Sequence, residues 1–233
     1  IFYVCSPTNP QGGIASKEWW KKILTLAEKY NFLVFSDECY SEIYYDTIPT
    51  GALEIANQVG IDFNRVVIFN SLSKRSNLPG LRSGFAAGGE RSIQHLKTMR
   101  AYSGAPLPLP LQLAAEAVWR DEIHVEDNRR LYSEKFDLAN NILGEIPDIQ
   151  IPEAGFFLWL PCRNGEEAAL KLWKEEGIRV LPGRYLSQDV NGLNPGHRYV
   201  RVALVMDKAL TEKALLKIRR CLYCRVRRNL SAA

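Results

Sequence analysis

Three apolar stretches, at 1–5, 32–35 and 65–69, are each followed by polar side chains that could do chemistry. The polar residues that follow them are Asn9, Asp37, Tyr40, Ser71, Ser73, Lys74 and Arg82. Taken singly, each has an ordinary explanation, because a lysine after a strand is usually a solvated charge and an aspartate there usually forms a turn. The combination of an amine, a carboxylate, a phenol, hydroxyls and a guanidinium is what calls for a chemical explanation.

This set of groups matches the needs of pyridoxal phosphate. The Lys74 amine can condense with an aldehyde, and the Asp37 carboxylate, facing a pyridine nitrogen, would keep that nitrogen protonated. A phenol or an amide, supplied by Tyr40 or Asn9, can hydrogen-bond the ring hydroxyl. Serine hydroxyls and Arg82 suit a phosphate group. The residues therefore indicate a pyridoxal phosphate site.

The apolar stretches that precede these residues read as buried strands. Helical patterns separate them, and Ser16 is placed to cap the first helix. A fourth strand is possible at 84–88. Strands that are apolar on both faces and separated by helices predict an α/β fold with a mainly parallel sheet. Ligands bind at the carboxyl ends of the strands in such sheets, where these polar residues would meet.

The pattern changes after this region. Three prolines between Tyr102 and Pro110 predict a non-helical connection, followed by helices at about 111–121 and 124–143. Beyond Pro147, strands are expected at 156–160 and 199–204, with a helix capped by Asn164 and a closing helix at 211–222. We predict part of a cofactor-binding large domain at 1–105, connecting helices at 106–145 and a smaller α+β domain at 146–233.

Composition excludes several classes of protein. With 233 residues, 46% hydrophobic and 24% charged, the chain is typical of a globular protein. No apolar run approaches the roughly 18 residues of a membrane span, and a net charge of +4 does not by itself indicate nucleic-acid binding. Five cysteines in a chain of this length are typical of reduced thiols, and we expect a cytoplasmic protein with no metal site, no membrane partner and no nucleic-acid partner.

Four ordered motifs carry a resemblance to a known family. They are Ser6-Pro7-Thr8-Asn9-Pro10-Gln11-Gly12, Asp37-Glu38-Cys39-Tyr40, Ser71-Leu72-Ser73-Lys74 with Gly80-Leu81-Arg82-Ser83-Gly84, and Tyr199-Val200-Arg201-Val202. In this order they resemble the landmarks of class I/II aminotransferases of fold type I, over most of the chain. The chain begins within a strand and without methionine, so we expect it to be the C-terminal portion of a longer protein.

The resemblance implies a role for each landmark residue. Lys74 would be the catalytic residue that holds the cofactor and moves the substrate proton. Arg201 would bind the substrate carboxylate in a bidentate manner, with Asn9 beside it. Contacts with pyridoxal 5'-phosphate are implied for Asn9, Asp37, Tyr40, Ser71, Ser73, Lys74 and Arg82. The family also implies a homodimer.

A narrower resemblance concerns the substrate. The segments Ser73–Phe85, Pro106–Pro110, Gly155–Leu160 and Asn194–Gly196 are similar to those of succinyldiaminopimelate transaminases. This implies amino transfer between glutamate and an N-succinylated keto-pimelate in lysine biosynthesis, with Arg184 or Arg198 as a candidate for a distal carboxylate. The alternatives are another class I aminotransferase (aspartate- or alanine-like), a pyridoxal phosphate C–S lyase, and the aminotransferase-like effector domain of a transcription regulator.

Overall fold

The computed structural model describes residues 1–104 and 106–224. The chain divides into two compact units, Ile1–Ser133 with Pro152–Gly155 and Glu134–Ile151 with Phe156–Ala233. The division falls inside one long helix. The predicted segments 1–105, 106–145 and 146–233 stay a prediction. Residues 225–233, which include Arg225, Arg227 and Arg228 of the basic C-terminal sequence, lie outside the described part.

The first unit is built on a four-stranded sheet in the order β1-β2-β3-β4. Its strands are β1 (Phe2–Cys5), β2 (Val34–Asp37), β3 (Val66–Ser71) and β4 (Gly84–Gly88). Its helices are α1 (Lys17–Tyr30), α2 (Ala52–Val59), α3 (Leu72–Arg75), α4 (Glu90–Tyr102), α5 (Leu109–Arg120) and the first half of α6 (Ile123–Leu143). The first three strands are parallel and β4 is antiparallel to β3, so the predicted mainly parallel α/β sheet is confirmed.

Helices α1 and α2 cover one face of this sheet. The Ser16 hydroxyl accepts a hydrogen bond from the Trp19 N–H at 3.1 Å and starts α1 as predicted. Spacings of four and three residues then place Trp20, Leu24 and Ala27 on one buried stripe. These side chains form a core with Val34 and Val66 of the sheet and with residues of α2. Since side chains alternate along a strand, Tyr3, Phe35 and Asp37 belong to the opposite face.

The proline-rich connection is shorter than predicted. Helix α4 ends at Tyr102, but α5 begins at Leu109 and includes Pro110 in its first turn. A first-turn proline is tolerated because the N–H that it lacks would have no partner within the helix. The expectation of a break through Pro110 was therefore wrong by two residues.

The second unit is an α+β arrangement, as predicted. Its sheet has the order β5-β7-β6, with β5 (Phe157–Pro161), β6 (Leu181–Pro182) and β7 (Tyr199–Ala203) antiparallel. Its helices are the second half of α6, α7 (Gly165–Lys171) and α8 (Lys208–Ile218), and single π-helical turns follow α7 and α8. The Asn164 side chain caps α7 by accepting from the Glu166 and Glu167 N–H groups, which confirms the predicted cap.

Among the helices of the described residues, none is both long enough and apolar enough to cross a lipid bilayer.

Candidate functional site

The carboxyl ends of the three parallel strands lie side by side. Cys5 at the end of β1 is paired in register with Asp37 at the end of β2, and Asp37 is paired with Phe69 of β3. Two residues later β3 ends at Ser71, and α3 with Lys74 follows at once. The first unit therefore brings the segments that contain the predicted site residues to one edge of its sheet.

Hydrogen-bond donors surround the Asp37 carboxylate. The Tyr3 hydroxyl donates to Oδ2 at 2.9 Å, and the Cys39 backbone N–H donates to Oδ1 at 3.2 Å. The Asp37 charge also acts on the thiols of Cys5 and Cys39. These contacts fix the direction of the carboxylate at the end of β2.

The two thiols beside Asp37 are strongly disfavoured as thiolates. Burial, reinforced by the nearby Asp37 carboxylate, raises the pKa of Cys5 to about 11 and that of Cys39 to about 12. Burial and the same carboxylate also raise the pKa of the Tyr3 hydroxyl. All three groups are thus protonated near neutral pH. The protonated Cys39 thiol is poorly suited to nucleophilic catalysis.

The Lys74 amine lies near this cluster. Its Nζ is 5.7 Å from the centroid of the Tyr40 ring, and Tyr40 is buried. The Lys74 charge also acts on Cys39, where it partly offsets the effect of Asp37 on the thiol pKa. The amine, the phenol ring and the residues around the carboxylate therefore belong to one neighbourhood.

The serines and Arg82 lie where α3 meets the start of β4. Ser71 caps α3 by accepting from the Ser73 N–H at 3.1 Å, and its hydroxyl lies 2.9 Å from that of Ser73. Ser71 is paired with Gly84 across the sheet, close in sequence to Arg82. The exposed Arg82 has a left-handed backbone (φ 56°), and its guanidinium donates to the Pro79 carbonyl at 2.9 Å.

Asn9 lies in a loop that several local hydrogen bonds hold. The Thr8 hydroxyl accepts from the Gly13 N–H at 2.9 Å, and the Ser6 hydroxyl accepts from the Ala15 N–H at 3.0 Å. The peptide bonds before Pro7 and Pro10 are cis. Asn9 is exposed within this loop, which follows β1 at the same sheet edge.

Arg201 belongs to the second unit. It lies in β7, the central strand, opposite Trp159 of β5 and Leu181 of β6. The guanidinium carbon lies 4.2 Å from the centroid of the Phe157 ring, which supports the flat cation. Stacking of this kind orients a guanidinium while its edge can still bind a carboxylate.

Arg184, the candidate for a distal carboxylate, already has an acidic partner. Its Nη1 lies 3.2 Å from Glu166 Oε2, and the Tyr185 hydroxyl donates to Glu166 Oε1 at 2.7 Å. These contacts hold the pKa of Glu166 below its usual value, Tyr185 contributing most. A substrate carboxylate would have to compete with Glu166 for this arginine.

Sequence reasoning did not single out Tyr3 or Cys5 as neighbours of the site. Both could have been found from the period-two alternation of a strand, because parallel pairing of β1 with β2 puts Cys5 beside Asp37. The sequence reasoning also missed the contacts between the end of α3 and the junction of α5 and α6, such as Arg75 with Glu122 and Ser76 with His124. These contacts have no local sequence signal.

The donor set of the first unit fits pyridoxal phosphate. The cofactor needs an amine for its aldehyde, an oriented carboxylate for its ring nitrogen and donors for its phosphate. Lys74 supplies the amine and Asp37 the carboxylate, which the Tyr3 hydroxyl and the Cys39 backbone N–H hold by hydrogen bonds. Paired serine hydroxyls and an exposed arginine at the start of α3 and β4 suit the phosphate. The individual roles remain predictions.

Comparisons with known proteins agree with this fit. An LL-diaminopimelate aminotransferase of Maridesulfovibrio salexigens is 29% identical over 227 residues, which cover 94% of this chain and 55% of that protein. An aminotransferase structure from Neisseria meningitidis has a TM-score of 0.87 at 46% identity, covering 93% of this chain and 56% of that one. For a probable N-succinyldiaminopimelate aminotransferase of Thermus thermophilus the TM-score is 0.81 at 28% identity, over 94% and 58% of the two chains.

The chain thus spans little more than half the length of these relatives. The fold is that of fold-type I aminotransferases, as expected from the four motifs. The sequence model of the family described as "Aminotransferase class I and II" matches residues 1–218, which is most of the chain. The chain therefore belongs to the class I and II aminotransferase family.

Proposed function

We propose that the protein is a pyridoxal phosphate-dependent aminotransferase that exchanges an amino group between small amino and keto acids. The observation that carries the proposal is the Asp37 carboxylate, oriented by Tyr3 and Cys39 at the sheet edge where the Lys74 amine also lies. Membership of the class I and II aminotransferase family implies dependence on pyridoxal phosphate. When bound, the cofactor supplies an aldehyde and an electron-accepting ring that weakens the bonds at a substrate Cα.

Each candidate site residue has a distinct task in this proposal. Asp37 holds a proton on the pyridine nitrogen, and the donors around it fix its direction. Asn9 and Tyr40 hydrogen-bond the ring hydroxyl oxygen. Lys74 would bind the cofactor aldehyde, and its amine would accept the proton that leaves the substrate Cα. Proton transfer by a positioned amine contributes ~10²–10⁴-fold to a rate.

The remaining residues bind the ends of the reactants. Ser71, Ser73 and Arg82 hold the phosphate, and Arg201 binds the substrate α-carboxylate through two parallel hydrogen bonds. Lysine cannot reproduce this bidentate geometry. Holding the carboxylate would fix the orientation of the substrate, and therefore which bond at its Cα is the one that breaks.

For the substrate we propose an N-succinylated amino-keto-pimelate, with glutamate as the amino donor. The support is the likeness to the succinyldiaminopimelate enzyme and to the diaminopimelate aminotransferase, together with the sequence segments that resemble the former group. The carboxylate beside the keto carbon of such a substrate would meet Arg201. A homodimer is proposed on the family resemblance.

The deciding experiment uses the full-length protein with pyridoxal phosphate and glutamate. We expect transamination, and we expect Lys74→Ala to lower its rate by ~10²–10⁴-fold while the circular dichroism spectrum is unchanged. Lys22→Ala, an exposed lysine of α1, is the matched control and should retain the wild-type rate. Turnover by Lys74→Ala at the wild-type rate would contradict the mechanism.

Assays of the same protein with other substrates separate the alternatives. Release of pyruvate and ammonia from cystathionine would favour a C–S lyase. A preference for aspartate or alanine over the succinylated substrate would favour another class I aminotransferase. Cofactor binding without turnover of any amino acid would favour an effector domain.

A further inference from the structure

Helix α3, which carries Lys74, is too short to hold its own shape. It has only four residues, Leu72–Arg75. Isolated helices below ~12 residues are marginal in water, so the position of the Lys74 backbone must depend on contacts with other segments. The Ser71 hydroxyl fixes the start of the helix. The contacts at its other end are made with the residues where α5 passes into α6.

Arg75, next to Lys74, is buried against this junction. Its side chain is 4% exposed and pairs with Glu122. Its guanidinium also donates to the carbonyls of Val118 at 3.2 Å and Asp121 at 3.4 Å, and it lies 5.1 Å from the Trp119 ring centroid. A buried charge with several partners is costly to move, because displacement leaves it unpaired.

A second contact joins Ser76 to the same junction. His124 Nε2 lies 2.8 Å from the Ser76 hydroxyl, and His124 Nδ1 lies 2.8 Å from Asp121 Oδ2. The hydrogen bond from His124, together with the Ile123 N–H, holds the pKa of Asp121 below its usual value. Asp121 therefore accepts from Nδ1, which fixes the orientation of the ring toward Ser76.

This serine, histidine and aspartate are joined in the same order as in a hydrolase triad, but Ser76 is unsuited to attack a substrate. Ser76 is only 9% exposed. Its hydroxyl also accepts a long hydrogen bond from Arg75 Nη1, at 3.4 Å. The hydroxyl is thus enclosed by the protein. The chain of hydrogen bonds connects α3 to α6 and presents no nucleophile.

A third contact reaches the backbone of Lys74 itself. The Asn128 side-chain amide lies 3.5 Å from the Lys74 carbonyl and 3.4 Å from the Arg75 carbonyl. The last carbonyls of a helix have no partner within it. Asn128 therefore binds the end of α3 at the residue that carries the reactive amine.

We propose that Arg75, Ser76, Asp121, Glu122, His124 and Asn128 form a Lys74 anchor, a set of positioning residues that aims the Lys74 amine at the cofactor aldehyde and the substrate Cα. The proposal rests on the proposed function. With Ser71 fixing one end of α3 and the anchor fixing the other, the helix cannot turn about its axis. A displacement of about 1 Å at a reacting group can cost ~10²-fold in rate.

The first test removes the histidine contact in the full-length protein. His124→Leu loses both hydrogen bonds, whereas His124→Gln retains an amide that can reach Ser76. We expect His124→Leu to lower kcat by ~10-fold or more with little change in KM for the amino acid, and His124→Gln to recover most of the loss. His95→Leu, an exposed histidine on α4, is the matched control and should change neither constant. Ser76→Ala removes a single hydroxyl and serves if His124→Leu unfolds; it should lower kcat in the same direction.

A second test separates positioning from a general loss of structure. In Lys74→Ala, a small primary amine such as ethylamine can replace the lost side chain, and it diffuses to the site without the anchor. Positioning predicts that adding His124→Leu to this variant changes the amine-rescued rate less than ~2-fold. If His124→Leu lowered the amine-rescued rate by the same factor as it lowers the rate of the protein with Lys74 intact, the proposal would be overturned.

A third readout does not depend on amino transfer. Lys74 Nζ condenses with the cofactor aldehyde with loss of water, and sodium borohydride reduces the resulting C=N bond to a stable secondary amine. Mass spectrometry then measures how fast Lys74 is labelled. We expect slower labelling in His124→Leu, and equal labelling in both proteins would overturn the anchor. Labelling of the wild type without transamination would instead contradict the proposed function alone.

Discussion

At the scale of single residues, the environment of Asp37 explains the state of its neighbours. Tyr3 and Cys39 donate to its two oxygens, and burial together with its charge favours the protonated forms of the nearby thiols. Protonated donors keep the carboxylate oriented. The same environment makes the thiols of Cys5 and Cys39 unreactive, although neither residue is fully buried.

We predict that Cys5 and Cys39 react slowly with iodoacetamide in the native protein. Raised pKa values of about 11 and about 12 leave a small thiolate fraction at pH 8. Alkylation should be on the order of 10² to 10³-fold slower than in the unfolded chain, whose thiols have ordinary pKa values. Peptide mass spectrometry at increasing pH measures this, and the native rate should rise about tenfold per pH unit. Equal rates at pH 8 with and without urea would contradict it.

At the scale of elements, the two glycines of Gly80-Leu81-Arg82-Ser83-Gly84 have different reasons to be glycine. A Cβ on Gly84 would lie 2.5 Å from the Asn70 carbonyl of β3, because β4 approaches β3 closely beside Ser71. A Cβ on Gly80 would meet no atom within 4 Å. Close approach of two strands thus controls one position of the motif and not the other.

We predict opposite stability effects for alanine at these two positions. Gly84→Ala should reduce the free energy of unfolding by ~1–3 kcal/mol, since β3 and β4 must move apart. Gly80→Ala should be neutral or stabilising by up to ~1 kcal/mol, because it restricts the unfolded chain. Denaturant unfolding of both variants measures the difference. A Gly84→Ala protein as stable as Gly80→Ala would contradict the close approach.

At the scale of the whole molecule, carboxylates with raised pKa values and carboxylates with lowered pKa values have opposite effects on the pH dependence of stability. Burial raises the pKa of Glu38, and the Asp37 charge adds to the effect, although the Ala52 N–H and the Ser36 hydroxyl donate to Glu38. Ion pairs and hydrogen bonds lower the pKa of Glu166 and Glu176. Glu38 therefore favours folding at low pH, and the other two favour folding once they are ionised.

We predict that Glu38→Gln gains stability relative to the wild type as pH rises above ~4.3, the pKa of an unfolded glutamate. Above that pH the unfolded chain releases its Glu38 proton while the folded protein still holds it, so wild-type stability falls until the folded pKa is passed. The free energy of unfolding of both proteins, measured between pH 4 and 8, gives the difference. Glu54→Gln, an exposed residue of α2, corrects for the lost charge. A constant difference across this range would exclude a raised pKa for Glu38.

The sequence by itself determined what depends on neighbours along the chain. Strand positions, the Ser16 and Asn164 caps and the order of the four motifs are local, because periodicity and capping involve residues only a few positions apart. The parallel α/β order was also predicted from the sequence. It implied that the carboxyl ends of the strands lie at one edge of the sheet. Local rules misjudged the start of α5, where Pro110 is harmless in a first turn.

Only the tertiary structure decided which distant groups meet. Ser76 reaches His124 across 48 residues with no periodic signature in the chain, and Tyr3 reaches Asp37 across 34 residues only because β1 pairs with β2 in this register. Such contacts depend on strand register and on where two helices join, which are set by the packing of the whole unit. The sequence therefore predicted Lys74 as the amine and Asp37 as the carboxylate, whereas packing decided how each of these side chains is held.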